Sequence, residues 1–116
     1  QPEVASTGGI SEFMRILSMA HAFGIPVMPH VWGSDVLIAV DMHLVSVIPD
    51  LPGGLHQFQP MLEYDTTPNL FHEHLLTESL GIREQVKANG GLIRPPQGPG
   101  IGIELDEDFI QKYRVA

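Results

Sequence analysis

Apolar residues recur at Phe13, Ile16, Leu17 and Ala20, the i, i+3, i+4, i+7 spacing that lays one apolar stripe along a helix. Ser11 is the expected N-cap, after Gly8-Gly9-Ile10; Gly24 is the expected C′ glycine, with Pro26 shortly after it. Val27-Met28 then read as a short buried strand leading into His30 and the loop Trp32-Gly33. A second helix is predicted from a cap at Ser34 or Asp35 to about Ile48, where Pro49 stops it. Its apolar residues cover nearly every face, so burial all round is expected. Asp50 to Pro60 reads as loop, with Pro52-Gly53-Gly54 as the turn signal, and Met61-Leu62 as another short strand ending at Glu63. Beyond Thr66-Thr67-Pro68-Asn69 the pattern predicts a long loop with a helical turn near Leu75. A turn at Gly90-Gly91 then enters an extended segment, and Pro95-Pro96 with Gly98-Pro99-Gly100 mark an irregular tail. Asp106 is placed to cap a last short helix containing Phe109, Ile110 and Tyr113.

The order helix, strand, helix, strand implies βαβ units on a parallel sheet, an α/β fold. Two or three short parallel strands leave open edges and an uncovered face, and parallel sheets are stable mainly when covered on both sides. A complete eight-fold α/β barrel takes about 250 residues. The 116 residues here are expected to form the C-terminal part of such a (β/α)-barrel, incomplete on its own. Residues 1–94 would be barrel and 95–116 a returning tail. The chain starts at Gln1, in mid-motif and without Met, so upstream residues are expected.

Composition narrows the function classes. The net charge is -8 with only six Lys and Arg, scattered from Arg15 to Arg114. This argues against nucleic acid and anionic membrane surfaces, which need clustered basic residues. The longest apolar stretch, Val36 to Ile48, is interrupted by Asp41, His43 and Ser46 and is too short to span a bilayer. No basic n-region followed by an apolar h-region opens the chain. The absence of cysteine excludes a disulfide framework and a thiolate zinc site and fits a cytoplasmic location.

Three polar residues stand where apolar runs give way to loops: Glu3, His30 and Glu63. In a parallel barrel these are strand ends facing one mouth, where catalytic groups sit. Each also has a bland reading. Glu3 is equally an exposed terminal acid, His30 a packed histidine bonded to backbone, and Glu63 a rim ion-pair partner. His72-Glu73-His74 has neither the spacing of a helical metal motif nor any other recognisable one, and reads as solvated loop. Asp41, near His43 on the buried second helix, is expected to be a satisfied polar pair or to face a neighbouring element.

Four motifs in order carry a family likeness: Gln1-Pro2-Glu3 before Gly8-Gly9-Ile10, Pro29-His30-Val31-Trp32-Gly33, Leu62-Glu63-Tyr64-Asp65-Thr66-Thr67-Pro68-Asn69, and Gly98-Pro99-Gly100-Ile101-Gly102-Ile103-Glu104. Together they resemble the C-terminal part of the mandelate racemase and muconate lactonizing enzyme branch of the enolase superfamily, most of all its sugar-acid dehydratases. The resemblance implies a magnesium-dependent lyase that removes the proton next to a carboxylate and expels the β-hydroxyl. A racemase or epimerase on the same scaffold, or an inert fragment, are the alternatives.

The same resemblance implies roles. His30 would be the acid/base and Glu3 its orienting carboxylate, where the family usually has aspartate. Glu63 would donate to the substrate carboxylate, which requires it to carry a proton; the neighbouring acid Asp65 would help it do so. Trp32, Thr66 and Asn69 could line a polyol pocket, although turn chemistry explains Thr-Pro-Asn equally well. The magnesium ligands and a catalytic lysine would lie upstream, so no metal ligand is assigned in this chain. The remaining partners implied are a sugar acid, the rest of the barrel, a capping domain against which the tail returns, and further copies of the complete protein.

Overall fold

The computed structural model describes residues 1–50 and 59–115; the turn expected at Pro52-Gly53-Gly54 lies outside them. Among the described residues six helices follow in order: α1 (Val4–Thr7), α2 (Ile10–Ala22), α3 (Asp35–Ser46), α4 (Leu70–Glu73), α5 (Ile82–Ala88) and α6 (Glu107–Tyr113).

The single turn α1 was not expected from the pattern. It ends at Gly8, and Gly9 precedes α2; both glycines have positive φ, at 105° and 93°, reversing the chain within two residues. Gly9 takes the N-cap position expected of Ser11, so α2 begins one residue before that serine. At its other end α2 closes as anticipated. Gly24 adopts φ 65°, its N–H donates to His21 O at 3.0 Å, and Ile25 N–H donates to Ala20 O at 2.9 Å, the paired bonds of a Schellman cap.

Helix α3 organises the core. On one side Leu44, with Leu37 and Val40, packs into a cluster with Val4, Phe13, Leu17 and Val27. On another, Ile38 and Met42 pack with Val31 and Ile82, joined by Leu62, Tyr64, Leu80 and Ile93. A helix between two clusters must be apolar on most faces, and its sequence is. Phe13 and Ile38 are among the largest fully buried side chains.

The segments expected as strands are extended but form no ladder: among the described residues the sole bridge joins Leu76 and Leu105, antiparallel. Burial at Val27, Pro29 and Val31 alternates as in a strand. However, Pro26, Pro29 and Pro60 have no N–H to donate, and the segments are short. One rung remains, His30 N–H to Pro2 O at 3.1 Å. It holds the Glu3 and His30 segments side by side.

The C-terminal part holds one helix that was not expected. Helix α5 was missed because Ile82 is its one buried residue, too little for a periodic stripe. The helical turn expected near Leu75 lies at α4, capped by Asn69. Helix α6 starts as expected, with Asp106 Oδ1 accepting from Phe109 N–H at 2.8 Å. The tail returns over the preceding segment: Asp106 N–H donates to Leu75 O and Thr77 N–H to Glu104 O. Phe71, Phe109 and Tyr113 pack there, the first two edge to face.

Candidate active site

Glu3 occupies the position ahead of α1, and its backbone carbonyl accepts from Ser6 and Thr7 N–H. Its side chain makes no cap bond to that helix. The carboxylate turns instead to His30, with Oε2 at 3.2 Å from Nδ1. On the far side of the ring, Nε2 lies 4.0 Å from Glu63 Oε2. That same Oε2 accepts from Val31 N–H at 3.1 Å, which ties the Glu63 segment to the His30 segment. The three residues singled out at segment ends therefore converge on one imidazole. His30 and Glu63 stay partly open, with side-chain exposures of 41% and 44%.

The hydrogen bond fixes a tautomer. With Nδ1–H donating to Glu3, the unprotonated Nε2 points to the open side, where it is an acceptor. The gap to Glu63 exceeds a hydrogen bond but is too narrow for an atom to sit between the two, so a ligand would meet both groups from the open side.

Asp41 corrects one expectation. It is not paired with His43, whose Nε2 contacts Ile101 O at 3.1 Å instead. Asp41 is wholly buried, and neither carboxyl oxygen has a hydrogen-bond partner among the described residues. Burial first, and the charge of Glu3 second, push its carboxyl up to about 7 against the opposing pull of His30. An acid that holds its proton well above the usual carboxylate range thus sits close to the Glu3–His30 pair.

His72 corrects another. It is not solvated: Nδ1 lies 3.1 Å from Asp35 Oδ1, and the two side chains are 9% and 6% exposed. Burial raises the Asp35 carboxyl, and the bond and charge of His72 oppose the rise. His74 is exposed, as expected of this stretch.

The residues considered for a polyol pocket divide. Trp32 and Asn69 border one cavity of about 250 Å³, whose wall His72 also forms. Thr66 is not on that wall, and its backbone carbonyl accepts from Arg83 Nη2 at 2.8 Å. Asn69 also performs turn chemistry, its Oδ1 accepting from Phe71 N–H at 2.9 Å. Asp65 is engaged within its own loop. It accepts from Thr67 N–H and Thr67 Oγ1, which hold its carboxyl below the usual range. A larger cleft of about 730 Å³, between Leu80 and the tail at Pro96–Gly102, borders none of the candidate residues.

Among the described residues no group of three or more His, Asp or Glu side chains could hold a metal ion. The donor set for a magnesium ion is therefore not met within them. No helix of the described residues is long and apolar enough to cross a membrane.

Residues 1–109 match the family model described as Enolase C-terminal domain-like. Over 115 residues the chain is 33% identical to D-galactarolactone cycloisomerase of Agrobacterium fabrum, covering 99% of this chain and 29% of that protein. It is 27% identical to D-galactonate dehydratase of Ralstonia nicotianae (95% and 27% covered) and 27% identical to arabinonate dehydratase of Saccharolobus solfataricus (98% and 26%). The chain thus spans little more than a quarter of these relatives. A solved protein of Bordetella bronchiseptica RB50, provisionally described as a mandelate racemase, superposes with a TM-score of 0.75 at 30% identity, over 94% of this chain and 24% of that one.

Proposed function

Since the chain belongs to the Enolase C-terminal domain-like family, we propose that it is the C-terminal portion of a sugar-acid dehydratase, a hydro-lyase acting on aldonic or aldaric acids. The observation that carries the reading is the imidazole of His30 between two carboxyl groups, Glu3 at 3.2 Å on Nδ1 and Glu63 at 4.0 Å from Nε2. Similarity to galactonate and arabinonate dehydratases over nearly the whole chain supports the substrate class.

In this reading Glu3 holds Nδ1–H, so that Nε2 of His30 faces the substrate. Nε2 takes the proton next to the substrate carboxylate, or returns one to the departing β-hydroxyl so that it leaves as water. Glu63 faces the substrate carboxylate, to which it would donate a hydrogen bond only in its protonated form. Its Oε2 is already committed to Val31 N–H, so Oε1 is the atom presented. Trp32 and Asn69 border the polyol chain.

The rest of the barrel, a capping domain, a catalytic lysine and the magnesium ligands belong to the protein outside this chain; the tail 95–116 packs toward the cap. In the same reading the complete enzyme is cytoplasmic and a homo-oligomer.

The test is product analysis on the complete enzyme with a panel of sugar acids and magnesium. A 2-keto-3-deoxy acid is expected, and His30→Asn should lower kcat by about 10²- to 10⁴-fold with the fold intact. Inversion without loss of water would indicate an epimerase, and lactone isomerisation a cycloisomerase like the relative from Agrobacterium; either would replace the dehydratase reading.

A further inference from the structure

The buried pair His72–Asp35 is absorbed by none of the roles above. Asp35 opens α3, three residues after Trp32, and His72 sits in α4, three residues after Asn69. Their bond, between residues 37 apart in sequence, joins the loop after His30 to the loop after Glu63. The edge of Tyr64 abuts the His72 ring, with centroids 6.5 Å apart and planes at 79°. The imidazole is therefore held on two sides.

A clamp alone would need only the Nδ1 contact. Yet His72 also forms part of the wall of the 250 Å³ cavity, with Trp32, Ser34, Asn69 and Phe71. That volume corresponds to roughly eight waters at about 30 Å³ each, enough for a short polyhydroxylated chain. A largely apolar wall with a few placed polar groups is how small-molecule sites obtain specificity. Once Nδ1 is committed to Asp35, Nε2 is the ring's remaining polar atom, and no protein partner occupies it among the described residues. With Nδ1–H donating to a buried carboxylate, Nε2 is a hydrogen-bond acceptor matched to a hydroxyl.

We infer that His72, oriented by Asp35, is a specificity-determining residue whose Nε2 accepts a hydrogen bond from a hydroxyl of the substrate's polyol chain, remote from the carbon that loses its proton. The inference rests on the sugar-acid reading above and deepens it.

The experiment compares the complete enzyme with its His72→Phe and His72→Gln variants. Substrates are a sugar acid and a series of analogues each lacking one distal hydroxyl. Phenylalanine keeps the ring against Tyr64 and removes the acceptor; glutamine places an amide near the position of Nε2. His72→Phe should lower kcat/KM about 10-fold on the parent acid, mainly through KM, and leave one deoxy analogue unchanged within about two-fold. His72→Gln should recover part of the loss on the parent. Equal losses on parent and all analogues, or no loss on any, would overturn the inference and leave the pair a structural clamp.

If the wild-type enzyme turns over no sugar acid, the dehydratase reading fails by itself. The His72 imidazole resonance, assigned by its disappearance in His72→Phe, then decides separately. A saturable shift on adding sugar acids, absent with one deoxy analogue, sustains the inference; no shift overturns it.

Discussion

Oε2 of Glu3 lies 3.2 Å from Nδ1 of His30, although 27 residues separate the two in sequence. Aspartate is usual at this position in the family, and glutamate is longer by one methylene, roughly a bond length. The added reach is taken up because the side chain leaves the cap of α1 unused and extends across to the imidazole.

That contact sets the first prediction. In the complete enzyme Glu3→Gln should lower kcat by about 10²-fold or more while the thermal midpoint stays near wild type, because the amide still meets Nδ1–H but no longer stabilises the imidazolium. Glu3→Asp should fall between the two, its carboxylate drawn back from the ring. A kcat for Glu3→Gln within three-fold of wild type would show that His30 works without an orienting charge.

Glu63 can be read through two substitutions. If it serves as a neutral donor to the substrate carboxylate, Glu63→Gln retains a donor and should keep KM within about three-fold. Glu63→Ala should raise KM by roughly 10- to 100-fold, the worth of a hydrogen bond to a charged group. Steady-state kinetics on one sugar acid suffices, and equal effects of the two variants would remove Glu63 from carboxylate binding.

Asp41 predicts a pH dependence of stability. Its carboxyl is pushed from an ordinary 3.8 up to about 7 in the native state. Between those pH values the native state binds more protons than the unfolded chain, so stability falls as pH rises and levels off above about pH 7. Three pH units at 1.36 kcal/mol each bound the loss at about 4 kcal/mol. Asp41→Asn, uncharged throughout, should lose that slope when denaturant midpoints are compared at pH 4.5 and pH 8. A variant with the wild-type slope would mean that the Asp41 carboxyl titrates in the native state much as it does in the unfolded chain.

Two glycines of the tail motif should behave differently. A Cβ on Gly102 would stand 2.8 Å from the carbonyl carbon of Pro96, at φ 72°, whereas Gly100 at φ 64° faces open space. Gly100→Ala should cost about 1–2 kcal/mol for its left-handed backbone. Gly102→Ala adds a clash with backbone that cannot swing aside, so it should lower the unfolding midpoint further and open the tail after Pro95 to limited proteolysis. Indistinguishable variants would contradict the close crossing of Pro96 over Gly102.

Phe13 tests the core. Its ring is wholly buried against α3 and Val27, and Phe13→Ala should cost about 3–5 kcal/mol of unfolding free energy. A loss below about 1 kcal/mol would mean that the first cluster does not hold α2 in place.

What the amino-acid order determined by itself lies within a few residues of each signal. Gly24 closes α2 because a glycine alone reaches that backbone angle without cost, and Asp106 starts α6 because its carboxylate meets a free N–H three residues on. The apolar surround of α3 was legible in the same way, since a helix without a polar face has to be enclosed. The convergence of Glu3, His30 and Glu63 was legible through motif likeness, no local rule linking residues so far apart. Tertiary structure alone decided the rest. Whether Asp41 finds a partner, and whether His72 meets water or Asp35, depends on which surfaces arrive opposite them. A side chain's charge state and role follow from the desolvation and neighbours that packing brings, and the order of residues along a chain does not contain those distances.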